Sequence, residues 1–353
     1  MQGRILIERR LQSVTMLALV VTFMVIGLGA YTRLADAGLG CPDWPGCYGQ
    51  LTVPTHAKDV VAAEQLFPER PVESNKAWLE MVHRYFAGTL GTIVFALSLL
   101  VWRYKPDMRG IAVAMSVLIV MQAALGMWTV TLKLMPVIVM LHLLGGFGLF
   151  CILSLVCCRL RFSRELMMYL PAKPLSTLRC IVAVATLILL VQIMLGGWTS
   201  SNYAALMCTS LPICQGQWVS HLDFENAFTF IQPEHDSYEF GVLDYGARMT
   251  IHISHRIGAM ITSFSLLIAI VFLVRSKLSI LQRLAKVIAI GLLIQVWLGI
   301  ANVVFHLPLI NAVMHNLGAA LLLVTLVAAN HALWARVVIA PISSVSTNKE
   351  LSL

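Results

Sequence analysis

Charge is what this sequence has least of. Only 12% of its 353 residues are Asp, Glu, Lys or Arg, while 59% are hydrophobic. Soluble domains carry about 25% charged residues to face water, so the shortage excludes a soluble globular chain. Long windows also lack polar interruption. Eight apolar runs cover about 12–32, 78–101, 110–131, 136–158, 177–199, 247–273, 284–304 and 308–334, each close to the ~20 residues that cross a bilayer as a helix. They are too long and too continuously apolar for barrel strands, which alternate with period two. What remains is an all-α integral membrane protein with eight transmembrane helices. The net charge of +8 then reflects topology and implies no nucleic acid partner.

Lys and Arg are themselves scarce in alternate connections. None occurs from Ser200 to Ala247, nor between the seventh and eighth runs. They gather at the N-terminus (Arg4, Arg9, Arg10) and after the second run (Arg103, Lys105, Arg109). They recur after the fourth (Arg159, Arg161, Arg164, Lys173, Arg179) and after the sixth (Arg275, Lys277, Arg283, Lys286). The positive-inside rule places both termini in the cytoplasm and the long loops 33–77 and 200–246 outside. The first run follows basic residues, as a signal peptide would. It is long, lacks a convincing small-x-small cleavage site and precedes further runs, so it is read as a span.

The chain also repeats itself. "LGAYTRLADAGLGC" at 28–41 resembles "LGGWTSSNYAALMC" at 195–208. Cys41 and Cys47 map onto Cys208 and Cys214 at an offset of 167, and His83-Arg84 maps onto His255-Arg256 at 172. "MQAALG" at 121–126 and His142 map onto "IQVWLG" at 294–299 and His315 at 173. Two copies of a four-helix unit follow, and an even number of spans gives both the same orientation. The expected pseudo-twofold axis runs along the membrane normal. The halves are residues 1–165 and 166–340, with a cytoplasmic tail at 341–353.

Of ten histidines, four lie inside spans at positions the repeat relates: His83, His142, His255 and His315. Each is five to eight residues from the outer end of its span, hence roughly 8–12 Å deep. One intramembrane histidine is ordinarily an interhelical hydrogen bond. Two matched pairs at one depth ask for more. A zinc site wants three or four converging ligands, and each half offers two. A proton relay would line polar groups through the membrane, and none continue inward. An iron porphyrin needs one imidazole on each face, and bundles supply these from facing helices. Two bis-histidine haem sites, one per half, is the reading from residues alone.

Neighbouring residues leave alternatives open. Arg84 and Arg256 either meet haem propionates or snorkel to the outer interface. Gly88, Gly145, Gly146, Gly258 and Gly318 either admit a flat macrocycle or serve close helix packing. Glu80 precedes His83 by one turn, and its counterpart is His252. The carboxylate either assists chemistry at one pocket or sits favourably at a helix N-terminus. Cys41 with Cys47, and Cys208 with Cys214, bracket short Pro-containing loops outside, where disulfides persist. They are structural staples or exchange electrons as thiol and disulfide. Cys151, Cys157, Cys158 and Cys180 are read as reduced apolar fillers.

These elements together resemble the haem A synthase family (Cox15/CtaA) over about residues 12–335. The matching pieces are "GLGCPDWPGCYG", the ExxHR of Glu80, His83 and Arg84, and His142. They continue with the HxxHR of His252, His255 and Arg256, and with His315 in "MHNLGAA". The resemblance implies an enzyme that oxidises a methyl group of haem O to the formyl group of haem A. It implies a resident haem b on His255 and His315, a substrate haem on His83 and His142, and a catalytic Glu80. It implies a bacterial cytoplasmic (inner) membrane, an unidentified electron acceptor, and haem O synthase and cytochrome oxidase assembly factors as partners. No transit peptide is read. A two-haem electron carrier linked to quinol and a haem transporter are the competing expectations. The loop 200–246 carries no assigned role.

Overall fold

The computed structural model describes residues 2–162, 175–211, 214, 216, 218–276 and 278–334. Arg164, Lys173, Lys277, the junction expected at 165/166 and the tail 341–353 lie outside the described residues. Among the described residues the chain forms α1 (Gln2–Leu34), α2 (Ala57–Leu66), α3 (Ser74–Tyr104), α4 (Arg109–Thr131), α5 (Pro136–Phe162) and α6 (Ser176–Ser201). It continues with α7 (Phe224–Ala227), α8 (Tyr245–Arg275), α9 (Ser279–Val304) and α10 (Leu309–Trp334). All but α2 and α7 are long and apolar enough to cross a membrane. Among the described residues no strand forms beyond one isolated bridge, Cys47 to Gln50.

Several helices overrun their apolar windows. α3 starts at Ser74 and α1 at Gln2, because a helix end can be solvated and need not stop where the apolar run stops. Arg103, Arg159, Arg161 and Arg275 fall in last turns, where a cation suits the helix dipole.

α1, α3, α4 and α5 pack in a closed ring, each against the next, and α6, α8, α9 and α10 form a second ring. The rings meet through α5 against α6 and α10, and α10 against α1. Leu90, Val94 and Leu97 of α3, Met115 of α4 and Leu149, Leu153 and Val156 of α5 fill the first. Leu266, Ala269 and Leu273 of α8, Ile288 of α9 and Leu323 and Leu326 of α10 fill the second. In the first ring the core begins at Leu90 and Leu149, seven residues past His83 and His142, and in the second at Leu266 and Ala320, eleven and five residues past His255 and His315. Val117 and Val120, Phe264, Leu293 and Trp297 point outward and are exposed, an apolar girdle that suits lipid.

The repeat extends to the turns. Six of the eight non-glycine residues with positive φ among the described residues are Asp36 and Tyr203, Lys133 and His306, Leu134 and Leu307, pairs separated by the offsets 167 and 173. Each closes a helix C-terminus as a left-handed cap. The same wide hydrogen bond recurs: Leu134 N to Thr129 O at 2.8 Å and Leu307 N to Asn302 O at 2.7 Å. Ala37 N to Thr32 O and Ala204 N to Thr199 O are both 2.9 Å.

The loop after α6 has a structural role the sequence did not suggest. Tyr238 N donates to Lys133 O at 3.0 Å, in the turn between α4 and α5. Arg70 pairs with Glu239 at 3.5 Å, and Trp198 Nε1 donates to Ala227 O at 2.8 Å. The loop therefore ties the outer ends of both rings together. At its α7 end, Asp223 accepts from Asn226 Nδ2 and N. Those two donors hold its carboxyl below the usual carboxylate range.

Candidate functional site

A glycine on the neighbouring helix makes room for each of the four histidines. A Cβ on Gly29 of α1 would stand 2.9 Å from Cε1 of His83, and one on Gly196 of α6 would stand 3.1 Å from that of His255. On Gly126 of α4 it would meet Cε1 of His142 at 3.4 Å, and on Gly299 of α9 that of His315 at 3.3 Å. Gly29 and Gly196 are related by the cysteine offset of 167, and Gly126 and Gly299 by the 173 that relates His142 to His315. They were legible in the repeated "LG" of the quoted segments, and the sequence reading passed over them. The glycines it did single out have another use: Gly145, Gly258 and Gly318 are covered by the side chains of Gln122, Gln192 and Gln295.

His83 and His142 face each other. Their ring centroids are 6.5 Å apart and the planes are nearly perpendicular, at 88°. Two imidazoles sharing one metal ion, each bound at ~2 Å, have centres roughly 6 Å apart, so the spacing fits an iron between them. Nδ1 of His83, His142 and His315 is buried without a hydrogen-bond partner. Such groups are rare in a finished core and mark rings whose polar needs the protein alone does not meet. His315 lies within electrostatic reach of His255.

Around His83 and His142 opens a cavity of about 840 Å³, at the upper end of the range for small-molecule sites. Glu80, Arg84 and Arg33 line it, with Gly88 and Gly146 on its walls and Trp44, Pro45 and Leu51 from the outer loop. Ser200 and Asn316 bring the second ring to its edge.

The loop over the cavity is fixed by its own geometry. Cys41 and Cys47 are disulfide-bonded, as are Cys208 and Cys214, whereas Cys151, Cys157, Cys158 and Cys180 are free. Tyr48 and Gly49 have positive φ between Cys47 and Gln50, which exchange two backbone hydrogen bonds. That is the tight two-residue turn that favours glycine. Asp43 accepts from Tyr48 N and Gly49 N at 2.7 and 2.8 Å. Tyr48 donates to Pro71 O at 3.0 Å, and burial pushes its phenol up.

Arg84 clamps this loop. Its Nη1 donates to the carbonyls of Asp43, Pro45 and Gly46, and its Nη2 meets Glu80 Oε1 at 2.5 Å. Arg256 does the same opposite, donating to Ser210 O at 2.8 Å and Cys208 O at 2.5 Å. Neither arginine needs a propionate or the interface to be satisfied.

Glu80 is part of the clamp. It is 5% exposed, and its Oε2 accepts from Cys41 N at 2.9 Å. It sits six residues into α3, past the first turn to which a dipole effect is confined, so that alternative falls. His252 stands in the same place: Cys208 N lies 3.3 Å from its Nδ1 and Arg256 Nε 3.2 Å from its Nε2. A neutral imidazole accepts at one nitrogen only, so a carboxylate makes the stronger tie.

The COX15-CtaA family (cytochrome oxidase assembly protein) matches residues 12–327. The chain belongs to this family. It is 53% identical over 320 residues to the heme A synthase of Shewanella oneidensis, covering 90% of this chain and 95% of that one. Heme A synthases of Rickettsia bellii and Mesorhizobium japonicum are 25% and 26% identical, over 86% and 88% of this chain and 92% and 87% of theirs. With eight apolar helices and bacterial relatives, this member is a multi-pass bacterial membrane protein.

One residue of the family member's cavity was missed entirely. Arg33 ends α1, donates from Nη2 to Ser200 O at 2.9 Å, and lies 4.0 Å over the Tyr203 ring. Its Nε is buried without a partner. The signal was present, since Arg33 aligns with Ser200 in the repeat and so belongs to the first half alone.

Proposed function

We propose that this chain is a haem A synthase of the bacterial cytoplasmic membrane, with both termini inside and the disulfide loops outside. It oxidises a methyl group of haem O to the formyl group of haem A by successive hydroxylations, for cytochrome oxidase biogenesis. The observation that carries the reading is the facing of His83 and His142 across a cavity that also contains a buried carboxylate. The conversion removes four electrons and four protons and adds one oxygen. The electrons pass to an acceptor outside the chain. Haem O synthase as supplier and cytochrome oxidase assembly factors as recipients are the partners this role requires.

In this reading residues 1–165 form the substrate half and 166–340 the resident half. His83 and His142 hold the substrate haem. His255 and His315, with an unpartnered Nδ1 on the latter and a glycine seat for each, hold haem b. That group supplies one-electron transfer when bound. Glu80 borders the cavity and takes a proton from the water that adds to the methyl carbon after each loss of two electrons to the acceptor and of one methyl proton, as a positioned base does. The disulfides hold each loop against its histidine helix.

Pigment extraction from purified protein tests the assignment. Haem A or a hydroxylated haem beside haem b is the expected result. Haem b alone, at two per chain, would make the protein an electron carrier.

Arg33 is assigned to a substrate propionate, which its buried Nε can meet. A charged hydrogen bond contributes about 1.5–3 kcal/mol, so Arg33→Gln is expected to weaken haem O binding roughly tenfold or more. kcat should change little, because a propionate contact is the same before and during reaction. Absorbance titration with haem O reads this. Unchanged affinity would leave Arg33 a link between the rings and nothing more.

A further inference from the structure

Besides the histidines, three side chains around the first-ring cavity have a buried polar atom without a hydrogen-bond partner. These atoms are Nε of Arg33, Nε2 of Gln122 and Oδ1 of Asn316. Arg33 is assigned to a propionate. Gln122 lies on Gly145 as Gln295 lies on Gly318, so it belongs to a contact that both rings keep. Asn316 belongs to no such pair. Its counterpart 173 residues earlier is Leu143, which packs against Gly197 of α6 and has no polar atom to satisfy. Asn316 follows His315 on α10, yet it lines the cavity of the other ring.

A buried amide oxygen left unpaired is costly, and whatever fills the cavity can relieve that cost. The chemistry of the substrate says which group does so. Haem O has two kinds of polar substituent. Its propionates are carboxylates, which accept and do not donate. Its one hydroxyl, on the carbon that joins an isoprenoid chain to the macrocycle, donates and accepts. A side-chain amide can present either end. A hydroxyl answers both ends, and a carboxylate answers the NH2 end alone. Depth agrees with this choice. Arg33 is one residue from the outer end of α1, whereas Asn316 is seven residues into α10, about 10 Å below that end. A macrocycle with a propionate at Arg33 lays its far edge, where the hydroxyl arm is attached, toward this level.

Resting on the substrate role assigned to the first ring, we propose that Asn316 is a specificity-determining residue that hydrogen-bonds the hydroxyl of haem O. The same chain holds haem b in its second ring, and haem b has a vinyl group at that arm. In the first ring haem b would leave the Asn316 amide buried and unpaired, which is how a site built for a hydroxyl rejects an analogue without one. The residue beside a haem b ligand thus keeps haem b out of the neighbouring site.

The test titrates the purified full-length chain, with its resident haem b in place, and reads binding by absorbance. Two probes are compared: haem O and its deoxy analogue, in which hydrogen replaces the hydroxyl and the isoprenoid chain stays. The parent is expected to bind the deoxy analogue at least ~10-fold more weakly, the effect of leaving a buried acceptor unpaired. Asn316→Leu, which installs the side chain found at Leu143, should bind the two probes alike. Asn316→Ala, smaller still, takes its place if that chain does not fold. Equal binding of both probes by the parent would overturn the proposal. So would a variant that loses both probes by one factor, since it keeps the parental preference and reveals a packing residue only. His142→Gly is the control for the underlying role. If it takes up haem O as the parent does, the first ring is not the substrate site, whatever Asn316 does.

Discussion

A His142→Gly chain is expected to form no measurable haem A, a fall of more than ~100-fold. Losing a group that only hydrogen-bonds a ligand already costs 10–100-fold at a metal, and this change removes a ligand outright. The substrate pigment of the first ring should disappear with it, while haem b remains. His255→Gly should give the opposite extract: haem b gone, substrate still bound, and again no haem A. The structure supplies a stricter version of the test. His142 lies against Gly126, so deleting its ring leaves a slot with no side chain behind it. Free imidazole added to His142→Gly can enter that slot and should restore part of both the pigment and the activity. Full haem A formation without imidazole would remove His142 from the site. A glycine inside a helix costs about 1 kcal/mol against alanine, too little to unfold a ring packed along its whole inner end.

How far the sequence foretold this arrangement depends on what each contact requires. The eight spans were legible because length and hydropathy decide them. The paired histidines were legible because an internal repeat acts as a second copy of the evidence: His83 and His142 could be compared with His255 and His315. Rotation of each helix was not legible. A span is apolar toward lipid and apolar toward its core, so periodicity does not say which side faces in. Gly29 and Gly126 were therefore passed over, though both stood in the repeated segments. Arg33 was hidden for a related reason. Its partners, Ser200 and Tyr203, belong to the other ring, and no offset links a residue to a neighbour across the interface. Glu80 was noticed through its mismatch with His252, yet its bond to Cys41 N depends on how the outer loop folds back, which spacing cannot supply.

That bond complicates the usual experiment on Glu80 and also suggests a better one. Glu80→Gln removes the negative charge, but it also aims an amide NH2 at either Arg84 or Cys41 N. Lost activity would then report a loosened loop as readily as a missing base. The second ring contains the control. His252 faces the same pair of donors, one backbone N–H beside a disulfide and one arginine, and accepts from one of them, without any carboxylate. Glu80→His therefore transplants a tie that this fold already uses. It should keep the Cys41–Cys47 loop seated over the cavity and keep the substrate bound. Haem A formation should nevertheless fall by about 10²–10⁴-fold, the usual contribution of a positioned base. Loop integrity can be read from the protection of Cys41 and Cys47 against reduction, and binding from the haem O titration. A Glu80→His chain that makes haem A at the parental rate would reduce Glu80 to a structural tie. One that loses both loop and substrate would show that only a carboxylate, accepting from both donors at once, can hold this particular loop. The comparison separates the two tasks because the repeat carried out half of the mutagenesis: both rings keep the clamp, and one of them adds a charge.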